Sequence, residues 1–181
     1  MTRAGGRRCS AISRRLALTS LACVGLPPVR AQQAPAGEDK ALPPPAVGTR
    51  LALTDLTLLD GTRFRAADAE GQVLVLYWWA SWCPFCAQKS PSMDKLWRTH
   101  RTRGLRMLGL SIDRKAEDAS GYLQKKGYSF PAGLVTPAVD QVLPKPRGLP
   151  VTVVRGRDGR VLAAEAGQLF PEDVELFARF L

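Results

Sequence analysis

Two cysteines separated by two residues form the most chemically specific feature of the sequence. Cys83 and Cys86 lie in the stretch YWWASWCPFCAQKSP, directly after a run of aromatic residues. Cysteines at this spacing can ligate a metal, attach a haem, form a structural disulfide or carry out thiol–disulfide chemistry. The residues around the pair allow these four roles to be weighed against one another.

Three of the four roles fit the surrounding residues poorly. A structural zinc site usually takes four Cys or His ligands, and the sequence has a single histidine, His100. Covalent haem attachment needs a histidine directly after the second cysteine, where Ala87 stands instead. A disulfide across so short a loop would stabilise a fold only weakly. We therefore expect no metal site, and no cofactor other than a redox-active disulfide between Cys83 and Cys86.

The position of the pair favours thiol–disulfide chemistry. An apolar strand is predicted before the pair and a helix after it, so that Cys83 falls at a helix N-terminus. The unpaired N–H groups and partial positive charge there favour a thiolate, which is the attacking form of cysteine. Pro84 suits the first helical position because it has no N–H. Cys86 lies on the same helix face. We expect Cys83 to be the exposed nucleophile and Cys86 the more buried thiol that resolves a mixed disulfide.

Two further hypotheses use the same cysteines. Thiolates suit copper(I), but only Met93 and Met107 would accompany them once Met1 is removed. A peroxidase usually carries Thr or Pro upstream of its reactive cysteine, whereas Trp82 precedes Cys83. A copper(I)-binding thiol protein therefore stays an alternative, and a peroxidase is the weaker one.

The elements that must position the pair are predicted from apolar patterns. Val73–Trp79 is a continuous apolar run with β-branched and aromatic residues, which is typical of a strand buried on both faces. The helix that begins near Cys83 is expected to end before Gly104. The remaining predictions are a hairpin at Leu51–Leu59 and Thr62–Phe64, a strand at Leu105–Ile112, a helix at Ala116–Lys126, a hairpin at Val151–Arg155 and Arg160–Ala166, and a last helix at Glu172–Leu181. This order predicts an α/β sandwich around a mixed sheet.

The first 31 residues are typical of a secretory signal. They contain six arginines and no acid, then the apolar run Leu16–Leu26 and small residues at a cleavage site. Ser13–Leu18 resembles a twin-arginine export signal, and Cys23 weakly resembles a lipoprotein processing site. The segment predicts export to the periplasm, with membrane attachment only if the signal is uncleaved or Cys23 is lipidated.

Removal of this segment changes the charge and the cysteine count. The chain has a formal net charge of +10, and the remaining 20 basic and 16 acidic residues give +4. Cys9 and Cys23 leave with the signal.

The arginines around His100 are interpreted as a solvated helix face, so no nucleic-acid partner is expected. Residues 32–48 are rich in Pro, Ala, Gly and charge and predict an exposed linker, which overlaps the start of a single domain at residues 42–181.

A second proline completes a pattern that resembles a known family. Pro150 comes just before the apolar strand Val151–Arg155, where a missing N–H is tolerated. The order of a strand, W-C-x-x-C, a helix and a Leu-Pro before a strand is similar to the thioredoxin superfamily. The added N-terminal hairpin and the turn Arg157–Arg160 resemble its exported TlpA/ResA-type thiol–disulfide oxidoreductases. The resemblance covers residues 42–181.

This resemblance implies a fold, an activity and site residues. The fold is a thioredoxin-like three-layer α/β sandwich with a central mixed sheet and an added N-terminal β-hairpin. The activity is reduction or isomerisation of protein disulfides, with a net disulfide oxidase as the alternative. Pro150 is implied to be cis and to face the dithiol, and Leu149 to pair with the backbone of the partner. Trp82, Pro84 and Phe85 are expected to contact that partner.

The same resemblance implies the partners. We expect a monomer that meets a protein thiol or disulfide client and an electron donor or acceptor of the cell envelope.

Four positions depart from the family pattern. Many thioredoxins have a buried Asp six residues before the first cysteine and a Lys on the next strand, where this chain has Tyr77 and Gly109. Related reductases often carry Glu three residues after the second cysteine, where Lys89 stands. Cytochrome-maturation reductases usually have an acid after the proline, and here it is Val151. Lys89 is expected either to point to solvent or to favour the thiolate and a more oxidising couple.

Overall fold

The computed structural model describes residues 41–181. The predicted signal at residues 1–31, with Cys9 and Cys23, and the first part of the predicted linker lie outside the described residues. The division into signal, linker and domain therefore stays a prediction.

Seven strands form a two-stranded hairpin and a five-stranded mixed sheet. In chain order they are β1 (Leu56–Thr57), β2 (Arg63–Phe64), β3 (Val73–Trp79), β4 (Leu105–Ser111), β5 (Ala132–Leu134), β6 (Val151–Arg155) and β7 (Val161–Ala166). The large sheet has the order β5-β4-β3-β6-β7. β3 is parallel to β4 and antiparallel to β6, and all of its residues are buried. The central strand therefore has the residues and the burial that its apolar sequence predicts.

Four α-helices and three short 3-10 helices complete the described chain. They are α1 (Pro84–His100), α2 (Ala116–Lys126), α3 (Pro137–Val142) and α4 (Pro171–Glu175), with 3-10 turns at Ala66–Ala69, Arg101–Arg103 and Leu176–Phe180. α1 begins and ends where expected, because Cys83 is its N-cap, Pro84 occupies its first position, and Gly104 takes a positive φ of 96° after the last turn.

The two faces of the sheet contribute to two separate hydrophobic cores. Tyr77 and Trp79 of β3 lie in one core with Met93 of α1. Trp78, between them in sequence, lies in the other core with Val139 of α3. Alternation along a strand sends neighbouring side chains to opposite faces. The result is helix, sheet and helix in three layers, which confirms the predicted fold class.

The N-terminal hairpin is present but much shorter than predicted. Only two residues of each strand pair, with Leu56 opposite Phe64. The turn has the predicted place, and Thr62 N donates to Asp60 Oδ1 at 2.9 Å. Residues 51–55 were expected to belong to the first strand. They do not, because Leu51 N donates instead to Gly159 O at 2.9 Å, beside β7.

Two elements were not predicted, and three have different ends. β5 and α3 lie in a stretch that was interpreted as a loop. The last helix is α-helical only over α4 and continues as a 3-10 helix, β4 ends at Ser111, and β7 begins at Val161. β5 has three residues with a central glycine, and α3 has six, so neither presents a full hydrophobic period. The cap of α3 was visible, since Thr136 Oγ1 accepts from Val139 N and Pro137 follows it.

A segment that we call the edge segment (residues 42–51) lies along the outer side of β7. Gly48 N donates to Val161 O at 2.8 Å, and Val161 N donates to Thr49 O at 2.9 Å. Arg147 N donates to Leu42 O at 2.7 Å. The second half of the predicted linker is exposed along most of its length, but these bonds attach it to the domain.

Candidate active site

The two cysteines are free thiols at the start of α1, directly after the central strand. Cys83 is the N-cap, with an extended backbone (φ −83°, ψ 115°), and its Sγ accepts from Cys86 N at 3.2 Å. Pro84 follows as the first helical residue. Cys83 therefore lies where the backbone N–H groups of the helix point, and one of them is already directed at its sulfur.

Cys83 is more buried than expected. Cys86 is 0% exposed, in agreement with a buried resolving thiol, but Cys83 is only 4% exposed. The prediction of an exposed nucleophile is therefore wrong for this form of the protein, because Cys83 belongs to the core that contains Ala80 and Cys86, against which Leu149 packs. Burial raises the pKa of Cys86 well above its ordinary value, and the hydrogen bond and charge of Cys83 raise it further.

Tyr77 and Ser90 occupy the space behind Cys86 where the family resemblance places an acid. Ser90 Oγ donates to Cys86 O at 2.8 Å, Tyr77 Oη donates to the same oxygen at 3.3 Å, and the two hydroxyls are 3.1 Å apart. Burial and the nearby Cys86 raise the pKa of Tyr77 well above its ordinary value. Tyr77 is therefore a neutral hydrogen-bond donor here and not a base.

Gly109 pairs with Tyr77 across the sheet, where related proteins place a lysine. A Cβ at Gly109 would lie 2.9 Å from Phe130 Cε2, 3.0 Å from Trp79 Nε1 and 3.1 Å from Ala132 Cβ. These distances are shorter than van der Waals contact, so no side chain fits without rearrangement. Aromatic rings occupy the volume that a lysine would need.

Lys89 is buried, and the interpretation that it points to solvent is wrong. It lies one turn after Cys86 on α1, is 1% exposed, and its Nζ donates to Gly167 O at 3.4 Å. Desolvation lowers the pKa of Lys89 to about 8, although the negative charges of Glu165 and of a Cys86 thiolate act in the opposite direction. An amine with this pKa can exist in either protonation state near neutral pH.

Pro150 and Gly167 connect the dithiol region to β7. The Leu149–Pro150 peptide bond is cis, Pro150 is buried and Leu149 is half-buried. Gly167 N donates to Pro150 O at 2.7 Å. The backbone of Gly167 therefore binds the proline on one side and Lys89 on the other.

Asp113 holds the loop that leads into the cysteine pair. Its carboxylate accepts from Ser81 N at 3.0 Å, from Ser81 Oγ at 2.7 Å and from Ser111 Oγ at 2.6 Å. Asp113 is 7% exposed, so these charge-assisted bonds are partly shielded from water. They fix the backbone two residues before Cys83 against the end of β4.

Exposed apolar side chains flank the buried thiols. Trp82 and Phe85 are 62% and 55% exposed, and Pro84 between them is also exposed. Trp79, in contrast, is completely buried. These neighbours of the pair give it an apolar surface of the kind that binds a protein partner.

A metal site is not formed by the described residues. Within residues 41–181 there is no group of three His, Cys, Asp or Glu side chains placed to hold an ion. His100 is buried at the far end of α1, where its Nε2 lies 2.6 Å from Glu175 Oε1.

Three site residues were not found from the sequence: Ser90, Asp113 and Gly167. Asp113 could have been found from the sequence, because it is an acid that follows a buried strand beside the active-site loop. An acid at such a position is expected to bind nearby polar groups. Ser90 falls on the same helix face as Cys86 at i and i+4. Gly167 contributes through its backbone, which no side-chain pattern shows.

The sequence and the fold are similar to known thiol–disulfide proteins. The pattern of the AhpC/TSA family matches residues 47–135. The thiol-disulfide oxidoreductase ResA of Geobacillus kaustophilus is 28% identical over 132 residues, which cover 72% of this chain and 75% of that protein. A thiol:disulfide interchange protein of the thioredoxin family from Chlorobium tepidum has a TM-score of 0.68 at 21% identity, covering 75% of this chain and 97% of that one. StoA from Bacillus subtilis has a TM-score of 0.59 at 16% identity, covering 74% and 99%.

Proposed function

We propose that this chain, which is similar to the ResA thiol–disulfide oxidoreductases and matches the AhpC/TSA family over residues 47–135, reduces or isomerises the disulfides of exported proteins through Cys83 and Cys86. The observation that carries this proposal is the dithiol at the start of α1, where Cys83 Sγ accepts the N–H of Cys86 at 3.2 Å. A negative charge on Cys83 would be stabilised by this donor and by the helix N-terminus.

The proposed reaction has two steps. The Cys83 thiolate attacks a disulfide of the client, so that a mixed disulfide forms and one client sulfur leaves as a thiolate. Cys86 then attacks Cys83 Sγ, the Cys83–Cys86 disulfide forms, and the second client sulfur leaves. Two electrons have passed from the protein to the client. An electron donor of the envelope must return them, and no other cofactor is needed.

The exposed groups around the thiols support a protein client. Trp82, Pro84 and Phe85 are exposed beside Cys83, and Leu149 is half-buried before the cis-proline. Apolar contact with a client chain would bring its disulfide to Cys83, which is 4% exposed.

Insulin reduction tests the proposal. The protein should accelerate the reduction of insulin by dithiothreitol, and Cys83→Ser should abolish the acceleration. Cys86→Ser should retain attack but accumulate a mixed disulfide that mass spectrometry detects. Full activity of Cys83→Ser would contradict the proposal.

The direction of transfer is tested by the redox potential. A potential near about −270 mV is that of a reductase, whereas one near about −120 mV is that of an oxidase. Equilibration of the Cys83–Cys86 couple with glutathione buffers measures it. A value at the oxidising end would replace reduction by net oxidation.

Export to the periplasm rests on the sequence alone. Residues 1–31 carry six arginines and no acid before an apolar run, and residues 41–181 contain no helix long and apolar enough to cross a membrane. A reporter fused after residue 40 should reach the periplasm, and Arg14→Lys with Arg15→Lys should block it if the twin-arginine route is used. Retention of the intact fusion in the cytoplasm would contradict export.

The client and the electron donor can be identified by trapping. Cys86→Ala should hold a client at Cys83 as a mixed disulfide in envelope extracts, and the matched Cys83→Ala variant should hold none. We propose that the protein acts as a monomer, which the mass of the purified protein in solution would check.

A further inference from the structure

Lys89 is a buried cation that forms no salt bridge within residues 41–181. Its side chain is 1% exposed, and within residues 41–181 its only hydrogen bond runs from Nζ to Gly167 O, at 3.4 Å. This distance is at the long end for such a bond. An ammonium group has three donors, so the protonated form is poorly satisfied at this position. Because the buried ammonium group has too few hydrogen-bond acceptors, burial favours the neutral amine.

The titratable groups that face Lys89 come from three elements. Cys86 lies one turn before it on α1, with Cys83 at the N-cap of that helix. Glu165 of β7 is exposed, and its negative charge raises the pKa of Lys89 against the effect of burial. Tyr77 of β3 donates a hydrogen bond to the carbonyl oxygen of Cys86. Cys86 is the buried titratable thiol one turn from Lys89 on the same helix, and the two groups influence each other's pKa.

Cys86 needs a proton acceptor, because it reacts as a thiolate and burial favours its thiol. The other polar side chains near Cys86 are not available as proton acceptors. Tyr77 and Ser90 are neutral donors to the carbonyl of Cys86. The Asp113 carboxylate binds Ser81 and Ser111.

We propose that Lys89, as a neutral amine, takes the proton of Cys86 in the step that resolves the mixed disulfide. This inference rests on the proposed function and assigns a role within it. The Cys86 S–H bond breaks and a Lys89 N–H bond forms. The Cys86 thiolate then attacks Cys83 Sγ, the new S–S bond forms, and the client thiolate leaves and takes a proton from solvent. The Lys89 ammonium holds the proton until an electron donor reopens the disulfide, when it returns to Cys86.

The pKa of Lys89 supports this role. Desolvation lowers it to about 8, so the neutral fraction of the amine grows as the pH rises from 7 towards 8. A general base is most effective when its pKa is close to the working pH. A lysine with its ordinary pKa would be protonated and could only stabilise the thiolate by its charge.

Stopped-flow reaction with 5,5′-dithiobis(2-nitrobenzoate) separates the two steps. The first release of thionitrobenzoate reports attack by Cys83, and its rate depends on the reagent concentration. The second release reports resolution by Cys86 and does not. In the wild type the second rate should rise with pH and level off near pH 8. Lys89→Met should slow it about 100-fold at pH 7.5, as expected for loss of a general base, and should remove the levelling.

A charge-retaining variant distinguishes proton transfer from charge stabilisation. Lys89→Arg keeps the positive charge but cannot accept a proton, so its second phase should be as slow as that of Lys89→Met. Lys95→Met, an exposed lysine of the same helix, is the matched control and should leave the second phase unchanged.

Two results would overturn the proposal. One is a second phase in Lys89→Arg as fast as in the wild type. The other is a pH profile of the second-phase rate in Lys89→Met that levels off at the same pH as in the wild type. This result decides the matter if Lys89→Arg does not fold. Absence of the first phase, or its persistence in Cys83→Ser, would instead contradict the proposed function.

Discussion

At the scale of single residues, Lys89 shows how a surface residue type can become a buried reactive group. The sequence predicted that Lys89 lies on the helix that carries the thiols, but it could not predict whether its side chain is buried. The helix spacing was sufficient to put it on the face of Cys86, but the low exposure depends on β7 and Gly167, which are distant in sequence. The identities and order of Cys83, Pro84 and Cys86 were predictable because their roles follow from a helix N-terminus alone.

Lys89→Met should stabilise the protein at neutral pH. The pKa of Lys89 is about 8 in the folded state and 10.5 in the reference state. Between these values the unfolded chain binds more protons, so wild-type stability rises with pH. The variant should be more stable by up to about 3 kcal/mol below pH 8, and its advantage should disappear by about pH 10.5. Urea unfolding of both proteins at several pH values measures this difference.

The control for this prediction is Lys95→Met. Lys95 is exposed on the same helix, so its replacement should change the free energy of unfolding by little and by the same amount at every pH. A stability difference between Lys89→Met and the wild type that does not vary from pH 7 to pH 10.5 would contradict a lowered pKa.

At the scale of elements, the cysteines are positioned by the junction of β3, β4 and α1. β3 and α1 were predictable because a long apolar strand and a capped helix have strong local signals. β5 and α3 were not, since three and six residues hold too little of a hydrophobic period. The link from Asp113 to Ser81 joins residues 32 positions apart, and only the parallel pairing of β3 with β4 brings them together.

Asp113→Asn should destabilise the protein and disturb the dithiol. The amide can replace one carboxylate oxygen but not both, so donors from Ser81 or Ser111 lose a charged partner. We expect a loss of about 2 kcal/mol in the free energy of unfolding and a slower first phase of the stopped-flow reaction. Asp68→Asn, at an exposed position, is the matched control. Unchanged stability and unchanged kinetics in Asp113→Asn would show that the carboxylate does not hold the loop.

At the scale of the whole molecule, the edge segment makes the N-terminal part of the domain larger than composition indicated. Proline-rich sequence predicts an exposed spacer, and residues 42–51 are mostly exposed. They nevertheless supply acceptors to Arg147, Val161 and Arg155, the last through Leu51 O. The three-layer fold was predictable from the order of its strongest elements. This attachment was not, because it depends on backbone pairing that side-chain pattern does not record.

Truncation tests whether the edge segment is structural. A chain that begins at residue 52 loses the bonds of Leu42, Gly48, Thr49 and Leu51, and should be less stable than one that begins at residue 41 by about 4 kcal/mol. Urea unfolding compares the two. Arg160→Gln in the longer chain removes the exposed bond to Gly48 O and an exposed ion pair with Asp158 and should cost far less. Equal stability of the two chains would mean that the segment is a linker after all.

The close packing at Gly109 also limits which sequences this protein could reach by mutation. An Asp in place of Tyr77 alone would be a buried acid without a cation, and a Lys in place of Gly109 alone would collide with Phe130 and Trp79. Each single substitution towards the acid–lysine pair of thioredoxins is therefore expected to give a less stable protein. The two arrangements are therefore separated by single substitutions that are each destabilising, and a lineage that fills this volume with aromatic rings is expected to keep Tyr77 and Gly109 together.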